Sequence, residues 1–176
     1  MNKRILTVAI IFLSLTLGQA LRAGAEASER STAVITESFA SKELRPGDTW
    51  KVYLEASDPN GEMKNIYAIV EEPGVGQYPL SIIRLGKGDR KDLSGYIYLN
   101  TGTAISTFPL YYVNLTLTVQ VQDRSGQFSK PVVFQLAMND RYSQAVPPQG
   151  VFKEHALGPI MVRLHTPGGE DGRSSP

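Results

Sequence analysis

The chain contains no cysteine, a single tryptophan and only two histidines. Without thiols there is no disulfide framework, no thiolate zinc site and no cysteine nucleophile. A bacterial lipoprotein anchor, which needs an N-terminal cysteine, is excluded for the same reason. Stability must therefore come from packing. An excess of one charge is missing too, because 18 lysines and arginines face 17 acids. That balance leaves no electrostatic footprint for nucleic acid or for an anionic membrane. No long apolar run follows the N-terminal one, so the body of the protein is expected to be soluble, without stable membrane insertion.

The one apolar run marks the chain for export. Lys3 and Arg4 precede residues 5–17, an apolar stretch broken only by Thr7, Ser14 and Thr16. Ala23-Gly24-Ala25 then offers a small-residue cleavage site, and Gly18-Gln19-Ala20 an earlier one. This order is that of a cleaved secretory signal. The run is short against the roughly 20 residues that a membrane span needs, and an uncleaved anchor is the alternative. Cleavage after Ala25 removes residues 1–25 and leaves 151 of 176. Lys3, Arg4 and Arg22 leave with the signal, so the formal charge moves from +1 to −2. The expected location is periplasmic or secreted.

The mature chain reads as one domain with tails. Residues 26–31 form a polar linker, and residues 33–39 a first strand. Trp50, Val52, Leu54 and Ala56 alternate with Lys51, Tyr53 and Glu55, which places the first set inward and the second in water. Asp58-Pro59-Asn60-Gly61 is a turn. Ile66, Ala68 and Val70 face inward on the next strand, and residues 80–85 form another. Leu93, Gly95, Ile97 and Leu99 follow, inward again. The clearest strand carries Val113, Leu115, Leu117, Val119 and Val121 against Asn114, Thr116, Thr118, Gln120 and Gln122. Asp123-Arg124-Ser125-Gly126 has the composition of a type I turn. Val132, Phe134, Leu136 and Met138 close the series. No segment shows helical periodicity, so the expected fold is all-β, an antiparallel sandwich of about seven strands over residues 32–140. Residues 141–176, rich in proline and glycine, form a tail with one apolar patch at 160–164.

Residues 112–129 resemble the last hairpin of bacterial extracytoplasmic Ig-like domains, in the group that includes fibronectin type III-like and cadherin-like modules. The resemblance rests on Tyr112, Leu117, Val119, Val121, Asp123, Gly126 and Ser129. It implies an Ig-like sandwich in which Tyr112 serves as the corner tyrosine. It implies little about activity, because such folds host many functions.

The chemistry of catalysis is poorly represented. His155 and His165 both lie in the tail, where a serine–histidine pair would lack a rigid frame. Glu71-Glu72 and Glu170-Asp171 are neighbours in sequence and diverge on a strand, so they do not supply the converging carboxylates of a glycosidase. The glycine pairs at 74 and 76 and at 86 and 88 lack the following helix and Gly-Lys-Ser/Thr ending of a phosphate loop. Arg84, Lys87, Arg90 and Lys91 are diluted by Asp89 and Asp92 and read as a solvated hairpin. Asn114-Leu115-Thr116 has the sequon pattern but falls inside the clearest strand.

Two constellations remain. If the turns at 58–62 and 123–126 share one end of the sandwich, Asp58, Asn60, Glu62 and Asp123 gather there as hard oxygen donors suited to calcium. Turn formation is the competing role of the same residues. In the tail, Ile160, Val162 and Leu164 form a short strand that either docks on an edge of its own sandwich or adds to a partner's sheet. The function expected is a non-catalytic binding or scaffolding module whose partner is another envelope or extracellular protein. No cofactor is implied, with calcium the one candidate, and a calcium- or ligand-binding module is the second reading.

Overall fold

In the computed structural model, residues 32–102, 113–141 and 143–164 are described. The expected signal at 1–25, the expected linker at 26–31, the corner candidate Tyr112, His165 and the end of the expected tail lie outside them. The period-two segments form strands whose apolar positions face one another across two sheets. β1 (Val34–Ala40), β2 (Glu43–Leu44), β3 (Thr49–Ser57), β4 (Met63–Glu72) and β5 (Gly76–Gln77) make the first half. β6 (Ser81–Arg84), β7 (Asp92–Asn100), β8 (Asn114–Asp123), β9 (Val132–Met138) and β10 (Ala156–Pro159) complete the set. A single 3-10 turn, Lys87–Asp89, is the only helical piece among the described residues.

The first sheet has the order β1-β3-β7-β10. In the second, β2-β9-β8-β4 is followed by β5 and β6, which pair with different stretches of β4. Packed face to face, the sheets enclose the inward rows that the alternation marks. Trp50, Val52 and Leu54 of β3, Ile97 and Leu99 of β7, and Leu117, Val119 and Val121 of β8 are fully buried. Ile66, Ala68 and Val70 of β4 join them. On β9 only Leu136 and Met138 reach full burial, while Val132 and Phe134 stay half-buried. The Trp50 indole N–H is satisfied by the Ser41 carbonyl at 2.8 Å, as a buried donor requires.

The neighbours β1-β3-β7 and β9-β8-β4 have the A-B-E and G-F-C order of an immunoglobulin-type sandwich. Two pairings depart from the antiparallel expectation, so both sheets are mixed. β2 runs parallel to β9. It follows β1 across a kink at Ser41–Lys42, so the chain leaves the first sheet and joins the second. β10 runs parallel to β7 and comes from what the sequence marks as tail. Residues 156–164 thus belong to the sandwich, and the boundary at 140 cuts off one of its strands. The docked strand lies four residues earlier than expected, at Ala156–Pro159, and the apolar patch at 160–164 forms no strand itself.

Two close approaches select that position. A Cβ added to Gly95 would lie 2.5 Å from the His155 carbonyl oxygen, and one added to Gly158 would lie 2.7 Å from Ile83 Cγ2. Contacts that short are repulsive, so a side chain at either residue displaces the strand. With glycine at both, β10 fits beside β7 and against β6. The Met161 amide donates to Ser81 Oγ at 2.9 Å, and the Ile160 amide to the Tyr98 carbonyl at 2.7 Å.

Candidate functional site

The two turns of the proposed calcium end do meet. Met63 pairs with Asp123, and the Arg124 amide donates to the Glu62 carbonyl at 2.9 Å. Yet the carboxylates point into their own turns. Asp58 is 1% exposed, and its two oxygens accept the amides of Asn60 and Glu62, both at 2.9 Å. Asp123 Oδ1 accepts the Gln127 amide at 2.9 Å and the Ser125 hydroxyl at 2.7 Å. Asn60 and Glu62 lie exposed on the surface. No group of three or more histidines and acids among the described residues is placed to hold a metal ion. Turn chemistry uses these oxygens, so Asp58→Ala should cost about 1–3 kcal/mol by stranding two backbone donors. Thermal melting should show the same loss with millimolar calcium as with a chelator.

The tail covers the first sheet. Between β9 and β10 the chain crosses the outer face of that sheet as a strap. The Ala145 amide donates to Ser41 Oγ at 2.9 Å, the Lys51 amide to Gln144 Oε1 at 3.2 Å, and the Lys153 amide to Ser94 Oγ at 3.2 Å. Phe152 stacks beside Tyr53 with ring centres 5.6 Å apart, and Tyr96 lies 5.4 Å from the same ring. Tyr53, expected in water, is only 4% exposed. Its hydroxyl donates to Glu154 Oε1 at 2.6 Å, and Lys51 Nζ lies 2.8 Å from Glu154 Oε2. The hydrogen bond to Glu154 holds the Lys51 ammonium above its usual range. Burial, then the bond to Glu154, pushes the Tyr53 phenol up. The hydrogen bonds from Lys51 and Tyr53 hold the Glu154 carboxyl down. All three shifts favour the ordinary charge states, so the cluster clasps the strap to the sheet.

Ile160 and Leu164 are buried in the chain's own core and Val162 is half-buried beside it. These side chains are therefore committed to the sandwich, whereas Met161 points outward. His155 faces Asp89 at 3.9 Å. A cavity of about 330 Å³ lies where Asn100 meets residues 159–163. Among the described residues its lining combines Asn100 and Arg163 with the apolar Pro159, Ile160, Met161 and Val162.

The second sheet differs on its outer face. Ile82 of β6 is 54% exposed, Val133 of β9 is 57% exposed, and Phe128 beside β8 is 44% exposed. Tyr67 and Ile69 of β4 lie half-exposed between them, and the Tyr67 and Phe128 rings meet edge to face at 5.0 Å. Thr116, Thr118, Gln120 and Gln122 of β8 fill the middle. From Asn65 to Glu71, the outward positions of β4, β6, β8 and β9 carry two charges, Arg84 at one end and Glu71 at the other. A charge-poor surface with exposed aromatic and aliphatic side chains has the composition of an interface centre. Alternation anticipates its threonine and glutamine row and the outward place of Val133. The missed signal is apolar residues at both parities, in Ile66-Tyr67-Ala68-Ile69-Val70, Ile82-Ile83 and Val132-Val133-Phe134. Strands apolar on both faces are covered on both faces.

No protein-family profile matches the chain, and no curated protein matches it significantly.

Proposed function

We propose that the chain is an exported, non-catalytic Ig-like module that binds or scaffolds another protein of the cell envelope or its surroundings. The outer face of the second sheet is the contact surface. The observation that carries this reading is the exposure of Ile82, Val133 and Phe128 on a face whose strand positions from Asn65 to Glu71 carry only Arg84 and Glu71 as charges. A solvated sheet of a monomer normally carries polar residues on that side. The basic n-region, apolar run and A-x-A site support export. The strand order supports the Ig-like reading.

Affinity capture from the native envelope with the mature chain as bait tests the proposal. Ile82→Lys and Val133→Lys should each reduce the captured partner at least tenfold, since a charge placed in the contact centre must lose its water. Both positions are exposed, so folding should change by no more than about 0.5 kcal/mol. Unchanged capture by both variants would remove this face from the function.

A further inference from the structure

The outer face of the second sheet is self-complementary under a two-fold rotation, and the geometry points to a second copy of this chain as its occupant. This inference rests on the proposed contact face and names what covers it. The strand registers arrange the face in four rows. The first holds Asn65 and Arg84 beside Gln122, and the second holds Tyr67 and Ile82 beside Gln120. The third sets Ile69 beside Thr118 and Val133, and the fourth sets Glu71 beside Thr116 and Gln135.

A two-fold axis parallel to the rows, passing between the second and third, reverses their order and keeps each strand over its counterpart. Tyr67 of one copy then covers Ile69 of the other, twice. Phe128 lies on the β9 side of β8, where it bridges to Gln122, and its ring leans onto Tyr67. Its bridge to Gln122 sets Phe128 in the first row, so it faces the fourth row of the second copy, at Thr116 and Gln135. The charges obey the same symmetry. Within one copy Arg84 and Glu71 are six residues apart along the strand direction, roughly 20 Å. Screening leaves little attraction over that distance. Across the axis they fall in facing rows one strand apart, about 4.8 Å to the side, which an arginine side chain can span. A surface with one basic end and one acidic end matches its own inverse, as an isologous contact requires.

The size sets the strength. Four strands at about 4.8 Å spacing and about 25 Å of length give a footprint of roughly 500 Å² per copy. The total, about 1,000 Å², lies at the lower limit for specific association. The dimer is therefore weak and reversible, with a micromolar or higher dissociation constant. The first sheet cannot contribute in the same way, because the strap with Phe152 and Glu154 already lies on it.

Sedimentation equilibrium of the mature full chain from about 1 μM to 1 mM should show a monomer–dimer equilibrium. Arg84→Glu and Glu71→Arg should each weaken it about tenfold by setting like charges opposite one another. The two combined should return the dissociation constant to within about threefold of the parent. Val133→Lys should leave only monomer, with the same melting temperature as the parent at dilutions where the parent is also monomeric. A parent that stays monomeric at about 1 mM overturns the proposal. So does a dimer indifferent to Val133→Lys, or a double variant no tighter than either single one. If the parent is monomeric but Val133→Lys loses the captured envelope protein, the second copy is wrong as the occupant and the contact face stands. If neither measurement responds to Val133→Lys, the contact face fails as well.

Discussion

Val119→Asp should abolish folding at ordinary temperature, while Thr118→Asp, one residue away, should change stability by less than about 1 kcal/mol. Val119 is fully buried at the centre of the core, between Ala68 on β4 and Val132 on β9. An aspartate there must either stay ionised in an apolar enclosure or take up a proton, and both cost several kcal/mol. Domains of this size have only about 5–15 kcal/mol of total stability. Thr118 faces outward beside Ile69 and Val133, where a carboxylate keeps most of its water. Circular dichroism melts of the two variants give the comparison. Similar melting temperatures would place the boundary between core and surface somewhere other than along this alternation.

Truncation after Asp140 should be nearly as damaging. It removes Ile160 and Leu164 from the core, and full burial of each contributes about 1.5–3 kcal/mol. It also strips the strap from Tyr53 and leaves the edge of β7 without the bonds that β10 makes. The expected loss is about 3–6 kcal/mol, with self-association through the bared edge. Light scattering after size exclusion reads the second effect. Association through the β7 edge should persist in a Val133→Lys background, which separates it from contact through the second sheet. Gly95→Val retains every residue of the tail and should reproduce much of the destabilisation, because its side chain meets the His155 carbonyl and Leu157. A truncated domain as stable as the parent and no more self-associated would mean that tail docking contributes nothing to the fold.

The parts legible in the sequence are those governed by neighbours one or two residues apart. Strand alternation is such a property, so the inward rows of β3, β7 and β8 follow directly from the order of residues. The turn roles of Asp58 and Asp123 are equally local, since each side chain reaches amides only two to four residues ahead. The same locality explains why a calcium cluster and a pair of turns look alike in sequence. Donor types and spacing are common to both, and only the direction of each carboxylate separates them. With Asp58 oxygens turned onto Asn60 and Glu62, the four candidates are neighbours without forming a shared ligand set.

Tertiary structure alone decided the fate of the tail and the character of the two outer faces. Whether residues 156–164 dock depends on space left by Gly95 and on the fit of Gly158 against Ile83. Those partners lie more than sixty residues away from the segment they admit. Tyr53 occupies a position that alternation assigns to water, and Phe152 and Glu154 cover it from about a hundred residues later in the chain. Ile82 belongs to an apolar pair in which either parity could face the core, and pairing with β4 chose the outward one. The outward place of Val133, by contrast, already follows from the inward set Val132, Phe134, Leu136 and Met138. Local order determines which residues can form a strand and which face is buried when only one is apolar. Which strand sits beside which, and what lies over the outside, depends on contacts made only after the chain has closed on itself.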